Sequence, residues 1–341
     1  MLCLALASLA GCSKQNISPS DGLDPSSGNP IAFEAEDAFT KAAVSDKTDI
    51  QNDPNGFRVW SWFQGTTAGP MFGTEGTPVT YDANTSAWTY SPTRYWMNGI
   101  YNFAAVYPAS VSATYAATDG ALALTVADFD VTDQHDLLVA FNNGTDGTGI
   151  NGATPPEAVN LSFQHALSCI QLKLKLDEED FFNSETGQQI GRANVTIAGF
   201  NDISIEGTLS ASKTDNIAYS WEPSDPNGQL RVNHIDNPIP VVLEGYEQYS
   251  YLGEDGLLVI PQSLTNSNGQ LYLQVTIYPL GNADESITKE FNVPLSAGVP
   301  KWEPNTKYIY TGVVTQDLVI DFTVTRVNAW VTENLGGFIV S

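Results

Sequence analysis

Four leucine or isoleucine residues at every second position set the strongest constraint on this chain. From Ile170 to Leu176 the sequence alternates without a break, with Ile170, Leu172, Leu174 and Leu176 set against Gln171, Lys173 and Lys175. Successive side chains of an extended strand point to opposite faces, so this order puts all four apolar residues on one face. On a helix the same four would be spread around the axis. The segment is therefore predicted as a half-buried antiparallel strand. Leu271, Leu273, Val275 and Ile277 repeat the pattern, as do Leu318, Ile320, Phe322 and Val324. After Arg326 the apolar phase passes to Val327, Ala329 and Val331, which predicts a bulge in that last strand.

Shorter stretches read the same way: Phe57 to Phe63, Thr77 to Tyr81, Ile100 to Tyr107, Leu137 to Phe141, Ala193 to Ile197, Val241 to Leu243, Leu257 to Ile260 and Tyr308 to Val314. Gly and Pro stand between most of them, as the turns of a meander or Greek-key sandwich require. No helical period persists beyond about two turns, a length at which an isolated helix is marginal. The chain is predicted to be all-β. Its 341 residues exceed what one core usually organises, so two domains are expected. The stretch from Asn142 to Pro156 is rich in Gly, Asn, Asp, Thr and Pro, and a boundary near residue 158 gives two similar-sized β-sandwiches, 31–158 and 159–341.

The first residues read as an address. Met1 to Gly11 are apolar or small throughout, too short to span a bilayer but suited to the apolar region of a secretory signal, although a basic start is missing. Leu9, Ala10, Gly11 and Cys12 resemble the bacterial lipobox, in which the chain is cut before the cysteine and its thiol receives diacylglycerol. Residues 1–11 are thus expected to be a lipoprotein signal peptide and Cys12 the lipidation site. With several acyl chains the anchor would be stable. Residues 12–30, rich in Ser, Gly, Pro, Asn and Asp, read as a flexible tether.

Charge narrows the partners. Fourteen Lys and Arg against 39 Asp and Glu give a net charge of −25. That field repels a phosphate backbone and anionic lipid headgroups, which argues against nucleic-acid binding and suits a soluble exported body. Chemistry is sparse. His135, His165 and His234 have no paired spacing, and no zincin helix, cysteine-pair zinc site, phosphate loop or nucleophile elbow occurs. No catalytic residue, metal ligand or cofactor is assigned, and an enzyme is not expected. Cys169, the only cysteine beyond the leader, reads as a small buried hydrophobe; a nucleophilic pairing with His165 lacks an evident third group. A glycosidase carboxylate pair is uninformative where acids are so abundant. Asn142 to Gly147 lacks the acidic spacing of a calcium loop and reads as a turn. Asp128, Asp130, Asp133 and Asp136 read as a solvated loop, and Asp177 to Asp180 as a solvated cluster at a strand end. Trp60 and Trp62 share a face, and Trp88, Tyr90, Tyr95, Trp96, Tyr101 and Tyr107 crowd one region. Sugar-binding surfaces use such rings, but sandwich cores do too, and the Asn98-Gly99 hairpin signal between Trp96 and Tyr101 favours core.

The order of these segments resembles the fimbrillin family of Bacteroidota, the Mfa-like and FimA-like lipoproteins. The matching pieces begin with the lipobox at Cys12, Ile31 to Phe33, and Thr40-Lys41-Ala42. They continue through Phe57 to Phe63, Trp88 to Trp96, Tyr101 to Pro108, Asp136 to Ala140 and Leu161 to Ser168. Tyr308 to Tyr310 and Val327 to Trp330 complete the series. The resemblance implies two tandem transthyretin-like sandwiches, export to the outer-membrane surface, and a structural or adhesive role in a fimbria. It also implies removal of an N-terminal strand after a basic residue, followed by donor-strand exchange between subunits, a form of β-augmentation. Lys41 occupies the processing position, where the family usually carries Arg. The implied partners are other fimbrial subunits or further copies, the outer membrane through the lipid anchor, and a host or glycan ligand. The short tail after Gly336 leaves a tip, an anchor or a non-polymerising surface protein as further readings.

Overall fold

The structure, a computed structural model, describes residues 28–36, 47–118, 121–183, 185–186, 188–239, 251–253, 256–265, 267–279, 286–317, 319–328 and 331–340. The first half holds β1 (Phe33–Glu36), α1 (Lys47–Asn52), β2 (Phe57–Gln64), β3 (Ala68–Pro70), β4 (Thr77–Asp82), β5 (Ala87–Thr89) and β6 (Ile100–Tyr107). After these come β7 (Ala113–Thr118), β8 (Ala121–Asp130), β9 (Leu138–Asn142), β10 (Ile150–Asn151), β11 (Val159–Ser162) and β12 (Gln164–His165). The second half opens with β13 (Ser168–Leu176), α2 (Glu178–Phe181), β14 (Phe182–Asn183), β15 (Gln188–Gln189) and β16 (Gly191–Ile203). It continues through β17 (Glu206–Lys213), β18 (Ile217–Ser224), β19 (Gly228–Pro238), β20 (Leu257–Val259), β21 (Gln270–Pro279) and β22 (Ile287–Pro294). A 3-10 turn at Leu295–Ala297 then leads to β23 (Thr306–Val314), β24 (Ile320–Asn328) and β25 (Val331–Val340). The all-β expectation holds. Val241 to Leu243, Leu318 and Ala329 lie outside the described residues.

Strand β6, flanked by β2 and β9, is the centre of the first sandwich. Seven of its eight residues are buried, because both faces of this sheet are covered. Trp60, Ala104, Val106 and Val139 face one core, which includes Leu122, Leu124 and Val126 of β8. Phe57, Val59, Phe63, Phe103 and Ala105 face the other, which includes Ile31, Phe33 and Ala35 around β1. Alternation along β2 thus feeds two cores, one per face. The aromatics follow: Trp96, Tyr101 and Tyr107 are buried and Trp88 and Tyr90 pack against the second core.

The second sandwich opposes the sheet β20-β13-β23-β24-β25 to the sheet β19-β16-β21-β22. Ile170, Leu172 and Leu174 from the first join Val195, Phe200 and Leu273 from the second in one core. A further sheet, ordered β18-β17-β8-β7, takes two strands from before residue 158 and two from after it. Around it the halves are tied by the Gln134 side chain, which accepts from the Leu258 amide at 2.7 Å and donates to its carbonyl at 3.1 Å. The Trp221 indole donates to the Ala166 carbonyl at 2.9 Å.

Several local expectations are corrected. β13 is half-buried as expected, but it runs parallel to β23 from Ser168–Thr306 to Leu176–Val314 and antiparallel only to the short β20. The chain between them is long enough for any crossover, so the alternation cannot specify direction. The irregularity of the last hairpin lies between Thr323 and Thr325, where three residues of β25 oppose two of β24, and not after Arg326. Asn98-Gly99 makes a bend rather than a hairpin. Gly99 is needed there for close approach, since a Cβ would sit 2.4 Å from the Phe63 ring. Asp177 is a helix cap, accepting from the amides of Glu179 and Asp180 at 3.0 and 3.2 Å.

Candidate functional site

The feature that stands apart is the strand at the N-terminal end. Ile31, Phe33 and Ala35 are 2%, 5% and 2% exposed, whereas Ala32 is half-buried and Glu34 exposed. This period of two fits one residue set into a groove and leaves the other toward solvent. Phe33 fills the centre, with edge contacts to Phe57, Phe72, Tyr90 and Phe103 at centroid distances of 6.4, 5.5, 5.5 and 5.9 Å. Such edge-to-face pairs are the favoured geometry of aromatic quadrupoles.

The backbone of the segment is held on both sides. On one side β1 pairs in parallel with β11, Phe33 opposite Val159 and Glu36 opposite Ser162, and the Val159 amide donates to the Ala32 carbonyl at 2.7 Å. On the other side the Ile31 amide donates to Arg94 O and the Trp96 amide to Asn29 O, both at 2.9 Å. The Tyr90 hydroxyl donates to Ile31 O at 2.8 Å. Burial pushes the Tyr90 phenol up to about 12, against the opposing effect of its bond with the Arg94 backbone. Among the described residues β1 is the only ladder partner of β11. Removing β1 would therefore open an apolar groove and expose a strand edge together.

The residues singled out from the sequence fall out as follows. Cys12 and Lys41 lie outside the described residues; β1 ends at Glu36 and α1 begins at Lys47, so Lys41 belongs to the segment joining them. Asp128, Asp130 and Asp133 are exposed as expected, but Asp136 is not a solvated residue. It is 4% exposed, accepts from the Leu137 amide at 2.9 Å, and pairs with Nδ1 of His165 at 2.9 Å. A buried carboxylate needs such partners, which is why Asp136 leaves the loop for the interior. The pair is separated by 29 residues, so no local spacing could announce it. Asp136 supplies the orienting group that a Cys169–His165 nucleophile would need, but all three residues are under a tenth exposed, out of reach of a substrate. His234 is also built into the fold, its Nε2 donating to Tyr251 O at 2.7 Å and its Nδ1 accepting from Asn237 at 2.8 Å. Among the described residues no group of three potential metal ligands forms.

The arrangement defines a class: an all-β protein whose N-terminal strand occupies a groove of the first sandwich. The chain belongs to the fimbrillin-like family, whose model matches residues 40–330. It is thereby fimbrial or adhesin-like in kind. It is similar in structure to a candidate cell adhesion protein from Bacteroides uniformis, with 15% identity, covering 92% of this chain and 100% of that one, TM-score 0.47. It is also similar to the tip fimbrial protein Mfa3 from Porphyromonas gingivalis with C-terminal truncation, with 10% identity, covering 87% and 98%, TM-score 0.42. No curated protein matches it by sequence. Among the described residues no helix is long and apolar enough to cross a membrane.

Proposed function

We propose that this chain is a surface-exposed lipoprotein subunit of a fimbria, anchored to the outer membrane through Cys12 and assembled by exchange of β1 for a strand of another subunit. The observation that carries this reading is β1 itself. It is short, apolar on alternate residues, buried in a groove, and joined to the body by the segment containing Lys41. Cutting after Lys41 would separate the anchor and β1 from the rest of the chain. The vacated groove would offer unpaired backbone along β11 and a pocket for an aromatic residue, the conditions under which a foreign extended strand adds to a sheet. Burial of Ile31 and Phe33 contributes roughly 1.5–3 kcal/mol each, so the incoming strand must supply comparable apolar residues. In this reading the chain divides near residue 158 into two sandwiches, with the β7–β8 and β17–β18 hairpins binding them together.

The test is limited trypsin treatment of the soluble, lipid-free precursor. First cleavage between Lys41 and Lys47, followed by oligomers in size-exclusion chromatography, is the expected result. A monomer that persists at high concentration with undiminished thermal stability would overturn strand exchange. The alternative would then lead: a non-polymerising surface lipoprotein that binds a glycan or a host protein.

A further inference from the structure

A second feature lies at the seam between the halves, away from the β1 groove. Two hollows of about 700 and 790 Å3 meet at Gln164 and Ile217, which line both. The first lies between the loop around Gly144 to Pro156 and residues Asn160 and Ser162 of β11. The second lies between Tyr219 and Trp221 of β18 and the turn from Trp302 to Thr306. β18 is the outer strand of its sheet, so the joined cleft follows a sheet edge.

The lining specifies a chemistry. Its charges balance: Lys301 and Glu303 pair at 2.7 Å, and Lys213 and Asp215 are the only other charged residues in either hollow. In a chain of net charge −25 this is a neutral site. The rest of its polar lining is amide and hydroxyl. Asn160 is decisive. Val159 and Leu161 are fully buried in the core, so strand alternation turns Asn160 to the opposite face, into the cleft. Its Oδ1 is buried and receives no hydrogen bond, although buried acceptors are nearly always partnered. Tyr219 and Trp221 present half-buried rings whose polar ends are already tied, to Gln164 Oε1 at 3.3 Å and Ala166 O at 2.9 Å. What they offer to a ligand is apolar ring surface.

We propose that this cleft binds an uncharged carbohydrate chain. A sugar hydroxyl both donates and accepts, so it matches an amide-lined wall and supplies the donor that Asn160 Oδ1 lacks. The apolar faces of the sugar rings match Tyr219 and Trp221. Each hollow has the volume usual for a small-ligand site. An acidic polysaccharide meets the repulsion of the whole chain. A proline-rich peptide would suit the rings but has no backbone N–H at proline to give Asn160. The proposal is independent of strand exchange and survives its failure.

Calorimetric titration of the full-length lipid-free chain tests it. The probes are neutral oligomers of β-glucan, α-glucan, mannan, galactan and N-acetylglucosamine, with a uronic-acid oligomer and a proline-rich peptide as contrasts. At least one neutral class is expected to bind. Asn160→Leu should weaken that binding about tenfold or more while leaving the melting temperature equal or higher, since it removes a buried acceptor without a partner. Ser220→Trp, at an exposed position in the cleft, should abolish binding without unfolding, and it carries the test if Asn160→Leu misfolds. Binding of no neutral oligomer at millimolar concentration overturns the proposal. So does binding of only the uronic acid or the peptide, or wild-type affinity in the folded variants.

Discussion

Leu174 is fully buried in β13 and lies opposite Gly312 of β23, where a Cβ would come within 2.7 Å of the leucine Cδ2. Lys173, one residue earlier, is half-exposed. Leu174→Asp is expected to cost more than about 4 kcal/mol, because it strands a charge in the core, and Lys173→Asp to stay within about 0.5 kcal/mol. Urea denaturation of the two variants checks this, and equal midpoints would contradict the assigned faces. Tyr90 allows a pH test at the same scale. Its phenol titrates at about 12 in the fold against a model value of 10.0. Between these values the unfolded chain has released the proton and the folded chain still holds it, so stability falls as pH rises through the window. Melting temperatures from pH 9 to 12 should therefore fall more steeply for the wild type than for Tyr90→Phe. Parallel slopes would remove Tyr90 from the account. Asp136 and His165 teach a related lesson: an acid that reads as one of a solvated row is taken inside by a histidine distant in sequence.

Among the elements, β1 is where stability and assembly meet. Phe33→Ala removes the ring at the centre of its groove and should cost about 3–5 kcal/mol, whereas Glu34→Ala, on the exposed side, should be nearly silent. The same groove makes a prediction in trans. After cleavage in the Lys41 to Lys47 segment, a synthetic peptide of residues 28–36 should refill the groove and suppress oligomers in size-exclusion chromatography. A peptide carrying Phe33→Ala should fail to do so. If both peptides act alike, the groove does not read the strand. β8 shows how far a pattern carries. Leu122, Leu124 and Val126 alternate in the sequence and are all buried, but nothing in that alternation names β17 as the partner.

For the whole molecule, the leader and the body make separable claims. Cys12→Ala should abolish lipid attachment and leave unprocessed precursor, because that thiol is the acyl acceptor at the proposed cut. Metabolic labelling with a fatty acid measures it. Labelled mature protein from the variant would count against the lipobox. The body folds on its own logic. Period-two alternation and the Gly and Pro between segments were enough to make it all-β and to locate most of the long strands, since those signals depend only on residues a few positions apart. The apolar phase also named the inner residues of β2, β13 and β21 correctly, for the same reason. Pairing is different in kind. The parallel ladders of β1 with β11 and of β13 with β23, the sheet shared by β7, β8, β17 and β18, the Asp136–His165 pair and the turn of Asn160 into the seam cleft all join residues far apart in the chain. A strand's sequence states which face is apolar but not which neighbour will cover it. That choice is made by the packing of all the strands at once, and only the tertiary structure records it.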